Sequence, residues 1–331
     1  MVTETDWLRA RLDAFPRVSL AELATPLEPL PGLSEEVGRT IYCKRDDLAG
    51  GNKIRNLEFL LADARRRNAR KIVTFGGLQS NHARLTAETA RQLELEAHVI
   101  YFECRPAFLQ GNALAARELG ATLHFVPFGR TQRPTLTVTA ANRLTHLVAL
   151  ALVGRHTFVP VGGSSWRGCL GYVGGALELD EQARAAGLGP VRVVLPVGTG
   201  GTLAGLLAGF ALAGSPLRPL GIDVGNLWRR FPASIASLAT EVTARLGGQR
   251  RFRPPDVPLI ERTYVGGGYA QPSERAAEAA RVAARLDGLA LDPVYTAKAF
   301  AGLLDLAGRG GLPAGEPIVF LHTGGLQDAP V

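Results

Sequence analysis

The chain is poor in cysteine, and its three, Cys43, Cys104 and Cys169, are odd in number and far apart. That excludes a disulfide framework and a thiolate metal knuckle and fits a reducing compartment. The six histidines are scattered, so no motif sets out a metal site. Aromatic residues make up only 7% of the chain, and the basic clusters Arg65-Arg66-Arg67 and Arg250-Arg251 are not interleaved with them. With a net charge of +7, this argues against a nucleic-acid groove. No apolar run approaches the length of a membrane span. Met1 leads into Val2-Thr3-Glu4-Thr5-Asp6, not into a basic, apolar signal segment. The expectation is a cytoplasmic protein with no nucleic-acid or membrane partner. Lysine is scarce as well: of 37 basic residues, the lysines are Lys44, Lys53, Lys71 and Lys298. Arginine therefore carries most of the surface charge, and a lysine in an unfavourable place points to chemistry arginine cannot do, such as attack on a carbonyl.

Lys53 is such a lysine. It follows Lys44-Arg45-Asp46-Asp47 and Gly50-Gly51-Asn52 and opens a helix over 52–67, with Leu57, Leu60, Leu61 and Ala64 on one face. A cation in the first turn opposes the helix dipole. A solvated lysine after a loop is the plainer alternative.

Around it the pattern alternates strand and helix. A short helix covers 6–14, and the proline-punctuated stretch through Pro26, Pro29 and Pro31 is expected to wrap along a surface. Strands are expected at 40–44, 71–75, 97–102, 121–127, 157–160, 191–196, 219–223 and 317–322, with a strand-like segment ending at Gly266-Gly267-Gly268. Helices are expected at 52–67, from Ser80 for about 15 residues, and over 110–119, 135–152, 166–186, 201–213, 229–246, 273–286 and 296–308. This is the signature of parallel sheets with crossover helices. A smaller α/β domain, 52–160, inserted in a larger one formed by 1–51 and 161–331, fits the pattern.

Ligands of such sheets sit at the carboxyl ends of strands. Four of these ends carry glycine-rich or polar turns: Gly76-Gly77-Leu78-Gln79-Ser80-Asn81-His82, Gly162-Gly163-Ser164-Ser165, Gly198-Thr199-Gly200-Gly201-Thr202 and His322-Thr323-Gly324-Gly325. The Gly198 turn opens a helix whose amides and hydroxyls suit a phosphate. It is not a Walker loop and misses the dinucleotide spacing, although Asp223 keeps a nicotinamide enzyme as an alternative. Ser80 is an N-cap candidate, and the same helix start suits a carboxylate. No triad partner for Ser80 is set out.

These segments resemble the D-cysteine desulfhydrase and 1-aminocyclopropane-1-carboxylate deaminase family, pyridoxal-phosphate enzymes of the tryptophan-synthase-β-like fold (fold type II). The resemblance runs from Lys44-Arg45-Asp46-Asp47 and Gly50–Arg55 through Leu170-Gly171-Tyr172-Val173, Gly268-Tyr269 and Leu291-Asp292-Pro293-Val294-Tyr295-Thr296 to His322-Thr323-Gly324-Gly325. It implies two open, twisted, mostly parallel sheets with helices on both faces, and a homodimer. It implies that Lys53 carries the cofactor covalently, with Asn52 beside it. Asn81 would bond the phenolic oxygen, Thr199, Gly200, Gly201 and Thr202 the phosphate, and Tyr295 the ring face. Ser80, Asn81 and His82 would receive the carboxylate of a small amino-acid substrate, which Tyr269 and Thr296 face. The carboxyl end departs from the resemblance, since no apolar helix follows Gly325.

Within the family, Tyr295-Thr296 and Thr323 resemble the desulfhydrases; the deaminases have Tyr-Glu and leucine there. A hydroxyl leaves the pyridine nitrogen nearer neutral than a carboxylate does. That suits β-elimination, where a departing thiolate relieves the carbanion. The expected reaction is therefore D-cysteine to pyruvate, hydrogen sulfide and ammonia. The alternatives are 1-aminocyclopropane-1-carboxylate deamination, removal of sulfite from L-cysteate with Arg167 as the sulfonate's cation, and non-catalytic binding of the cofactor.

Overall fold

The computed structural model describes residues 3–127 and 134–325. Its first elements are α1 (Glu4–Asp13), β1 (Leu27–Pro29), α2 (Pro31–Val37), β2 (Ile41–Lys44), α3 (Lys53–Arg66), β3 (Lys71–Gly76) and α4 (Asn81–Gln92). There follow β4 (Glu96–Tyr101), α5 (Gly111–Glu118), β5 (Thr122–Phe125), α6 (Val138–Val153), β6 (Thr157–Phe158), α7 (Trp166–Ala185) and β7 (Arg192–Val197). The chain continues through α8 (Gly201–Leu212), β8 (Arg218–Asp223), α9 (Phe231–Arg245), β9 (Leu259–Ile260), α10 (Glu274–Asp287), α11 (Thr296–Gly308) and β10 (Ile318–Leu321).

The strands form two sheets, one of six in the order β1-β2-β10-β7-β8-β9 and one of four in the order β5-β4-β3-β6. All pairings are parallel except β1 with β2. Strand β7 reads as an unbroken apolar run because helices cover both faces of its sheet, and Val193, Val194 and Leu195 are wholly buried. Pro196 is tolerated in this central strand because pairing with β10 ends at Val194, so no ladder partner waits for the missing N–H.

Two stretches differ from the sequence reading. The proline-rich segment does not simply wrap a surface: Leu27–Pro29 adds an antiparallel edge strand, and Pro31 starts α2 at a position where its absent N–H is no loss. Leu33 of that helix is fully buried. Before the Gly266 turn only Leu259–Ile260 is strand. The region after Gly325, where an apolar helix was found lacking, lies outside the described residues. Among the described residues, no helix is long and apolar enough to cross a membrane.

An ionic network joins β2, α3 and α7. Arg55, on α3, donates to Asp46 through Nε (2.9 Å) and Nη2 (2.8 Å) and to Glu178 on α7 through Nη1 (2.8 Å). Lys44 at the end of β2 pairs with Glu178, and Tyr172 donates to Asp46. The Arg55 and Asp46 side chains are 3% and 1% exposed, so neither charge has water to fall back on. Removing one partner of such a buried pair strands the other. Asp46→Ala is expected to lower the stability of the folded chain by about 3–5 kcal/mol in urea unfolding; a loss below about 1 kcal/mol would mean that solvent screens the pair.

Candidate functional site

Because the pairings are parallel, the carboxyl ends of β3, β6, β7, β8 and β10 open on one cavity of about 850 Å³. It gathers Asn52, Lys53, Ser80, Asn81, His82 and Thr199, together with Tyr269, Tyr295 and Thr323. Most of the site residues expected from sequence therefore meet in one place. Gly200, Gly201, Thr202 and Thr296 are not among its lining residues.

Lys53 is the first residue of α3, placed there by the network two residues further on. Among the described residues, its amine makes no hydrogen bond or ion pair. Burial lowers its pKa to about 8, with the nearby Cys169 opposing the shift. Burial therefore makes this amine easier to deprotonate than that of a surface lysine.

The start of α4 forms the second part. The Ser80 hydroxyl caps the helix by accepting from the Ala83 amide at 3.3 Å, which leaves its own proton free. Asn81 has a defined orientation. Arg84 Nε donates to Asn112 Oδ1 at 3.0 Å, so Asn112 Nδ2 must be the group that donates to Asn81 Oδ1 at 2.9 Å. The Nδ2 of Asn81 is then left over as a donor. Asn112, at the start of α5, was missed in the sequence; only the Gly111-Asn112 helix start hints at it.

The His82 ring is engaged by Thr74. Thr74 donates its hydroxyl proton to the Val159 carbonyl (2.9 Å), so the 2.8 Å contact between Thr74 and His82 Nε2 has the ring as donor. Nδ1 is left as a buried acceptor without a partner. Burial, with Lys53 nearby, lowers the His82 pKa to about 3, so the ring is neutral and offers an anion no proton. What this helix start offers is backbone N–H.

The third part is the Gly198 turn. No side chain caps α8, whose N-cap is Gly200 in the left-handed region (φ 84°). Its first amides thus remain available to an anion. Thr199 accepts from Ser164 at 2.7 Å, and Thr202 accepts from Asn52 Nδ2 at 3.0 Å, so both threonines keep a proton to donate. Gly162 is required here, because a Cβ on it would lie 2.0 Å from Thr199 Oγ1. Trp228 Nε1 donates to the Gly198 carbonyl at 2.7 Å and braces the turn, a contact with no sequence signal.

Opposite these donors stand two tyrosines. Tyr269 and Tyr295 bring their hydroxyls to 2.6 Å with the rings edge to face. Burial raises the pKa of both, so both stay protonated. Gly77 makes room for the pair, since its Cβ would meet the Tyr269 ring at 2.8 Å. Thr296, expected at the substrate, stands apart: it is wholly buried, and its hydroxyl is consumed by Asp292 Oδ2 at 2.6 Å. Asp292 in turn accepts from the amides of Val294, Tyr295 and Thr296. Thr323 does reach the cavity. Asp223 accepts from the Gly225 and Asn226 amides at 3.0 Å and serves its own turn, not a ribose. Arg167 is also elsewhere, paired with Asp63 at 3.3 Å and lying over Trp166.

The site thus combines an unpaired amine, an uncapped helix start suited to a phosphate, and a second suited to a carboxylate. The sequence profile of the pyridoxal-phosphate dependent enzymes matches residues 18–324. A protein of Pyrococcus abyssi (strain GE5 / Orsay), provisionally named 1-aminocyclopropane-1-carboxylate deaminase, is 37% identical over 96% of this chain and 94% of its own. The D-cysteine desulfhydrase of Salmonella choleraesuis (strain SC-B67) is 36% identical over 95% of each. A crystal structure described as an ACC deaminase homologue superposes with a TM-score of 0.84 at 36% identity, covering 97% of this chain and 95% of that one. The chain belongs to the pyridoxal-phosphate dependent enzymes, in the branch that holds the D-cysteine desulfhydrases and 1-aminocyclopropane-1-carboxylate deaminases.

Proposed function

We propose that this enzyme catalyses β-elimination from D-cysteine, giving pyruvate, hydrogen sulfide and ammonia. The observation that carries the reading is the chemistry of the cavity wall around Lys53. Thr199, Tyr295 and Thr323 present hydroxyls there; the one carboxylate among the lining residues, Glu103, lies by Gly77 and Tyr269. Asp292 is spent on backbone amides. A ring nitrogen held by a hydroxyl is not driven to carry a proton. Opening a cyclopropane, which has no leaving group, asks more of the ring than expelling thiolate does.

The residues present fit pyridoxal phosphate. Lys53 would carry its carbonyl carbon, the first turn of α8 with Thr199 and Thr202 its phosphate, and Asn81 Nδ2 its phenolic oxygen. Tyr295 would lie on the ring and Thr323 at its nitrogen. Bound there, the cofactor holds the substrate through its amine and withdraws electrons from Cα. The Ser80 hydroxyl and the amides of Asn81 and His82 would orient the carboxylate, helped by the positive end of α4. The Lys53 amine would take the Cα proton; with a pKa of about 8 a useful fraction is neutral at physiological pH. The Cα–H electron pair becomes the Cα–Cβ double bond as sulfur leaves with the electrons of the Cβ–S bond. Tyr269, kept protonated by burial, would donate to the departing sulfur. One water completes the balance to pyruvate, hydrogen sulfide and ammonia. Removal of sulfite from L-cysteate would need a cation beside the sulfonate, and Arg167 is bound to Asp63 instead.

The purified holoenzyme is expected to release pyruvate and sulfide from D-cysteine and no 2-oxobutyrate from 1-aminocyclopropane-1-carboxylate. The reverse result would move the reading to the deaminase. Lys53→Ala is expected to abolish turnover and the visible absorbance of the bound cofactor, and full activity in that variant would sink the scheme. Capture of pyridoxal phosphate by the apoprotein should quicken as pH rises through about 8, because only the unprotonated Lys53 amine attacks a carbonyl. A stopped-flow rate that is flat across that range would contradict the role given to Lys53.

A further inference from the structure

We propose that Lys298 is a positioning residue for the Tyr269–Tyr295 hydroxyl pair: it clamps the glycine turn that delivers Tyr269 to the cavity. The inference rests on the role given to Tyr269 above.

Lys298 is one of the four lysines and is wholly buried. It lies in the first turn of α11, where a cation opposes the helix dipole. No carboxylate pairs with it among the described residues; its ammonium donates to the main-chain carbonyls of Val265 at 2.8 Å and Gly268 at 2.7 Å. A buried charge in this position, without a counter-ion, is costly to keep unless it does something an apolar side chain would not.

Tyr264 anchors the start of the segment by donating to Asp305 at 2.6 Å, but the turn that follows it is weakly held apart from Lys298. Between the end of β9 at Ile260 and the start of α10 at Glu274 there is no helix or strand. The turn passes through positive φ at Gly266 (68°) and Gly268 (135°). Its nearby backbone bonds are long, Val265 to Arg262 at 3.4 Å and Gln271 to Gly268 at 3.3 Å. The two carbonyls bound by Lys298 bracket this turn, and Tyr269 is the next residue. Tyr295, the partner of Tyr269, is the N-cap of α11, three residues before Lys298 and so on the same side of the helix. One turn of α11 therefore sets both ends of the 2.6 Å hydroxyl contact. A lysine suits the task because its compact head carries three donors on a flexible stem; charged donors also make the stronger bonds.

Burial lowers the Lys298 pKa to about 8, with the charge of Asp292 on the preceding turn opposing the shift. The loop it clamps carries Glu261, Arg262, Tyr264 and Tyr269, its own helix start carries Tyr295, and β8 ends in Asp223; none of these forms an ion pair with it. Deprotonation removes the charge and one donor, so the clamp loosens as pH rises through about 8.

The test uses holoenzyme with Lys298→Met, Lys298→Arg, Tyr269→Phe and the Met/Phe double variant. It measures kcat and KM on D-cysteine, or on 1-aminocyclopropane-1-carboxylate if the unaltered protein consumes only that, with peptide-resolved hydrogen exchange alongside. K298M is expected to lower kcat about tenfold or more, as misplacing a reacting group does. The cofactor absorbance should persist, and exchange should quicken over 261–271 and not elsewhere. With Tyr269 already phenylalanine, K298M should change kcat less than about twofold, because two residues acting through one group do not add. K298R, charged at every working pH, should move the alkaline fall of kcat upward. An equal loss in both backgrounds, unchanged exchange over 261–271, or an unmoved alkaline limb in K298R would each overturn the proposal. Failure of the unaltered protein to act on D-cysteine would count against the proposed function alone, since the exchange measurement reads the clamp without turnover.

Discussion

A buried guanidinium governs where the Lys53 amine stands. Arg55 has β2, α3 and α7 as its surroundings and Asp46 and Glu178 as its partners, and its bidentate grip on Asp46 fixes direction as well as distance. Lys53 is half a helical turn away on the same rigid element. A buried network of this kind is no guarantee of net stability, because desolvation offsets much of the attraction. Its effect is on specificity of position: α3 cannot rotate or slide without leaving charges unpaired.

Helix α7 reinforces this by approaching its neighbours at glycine. At Gly171 a Cβ would lie 2.2 Å from the Arg55 carbonyl, and at Gly205 on α8 it would lie 2.6 Å from Tyr172. The helices bearing Lys53 and the phosphate-type cradle are therefore both locked to α7 at backbone distance, with no side chain able to substitute for the contact. Four helix starts flank the cavity. Those of α4 and α8 present free amides, and anions are favoured there. Those of α3 and α11 carry lysines, which the same dipole opposes. Local stability is given up at α3 and α11, and both lysines are held in place by tertiary contacts.

The alternation of elements was legible because buried parallel strands and amphipathic helices leave strong periodic marks, as in Lys71–Gly76 and Asn81–Gln92. The stretch from Leu27 to Val37 was not, since Pro29 and Pro31 mask both an edge strand and a helix that tolerates proline at its first position. In the site, the glycine turns and Lys53 were visible as local oddities. Asn112, Trp228 and the clamp on the Gly266 turn were not, because each acts through hydrogen bonds to residues about 30 positions away. The tautomer of His82 was equally hidden, because it depends on Thr74 and, through it, on Val159.

By itself the sequence determined the class of fold and marked Lys53 and the turns around it as unusual, because periodicity, helix-start residues and glycine runs are properties of short segments. Which hydroxyls and amides remain unspent was decided only by tertiary structure. Thr296 and Thr323 look equivalent as letters, yet one is bound to Asp292 and the other faces the cavity. Hydrogen-bond satisfaction is a property of the assembled surroundings, and a group already paired has nothing left to offer a ligand.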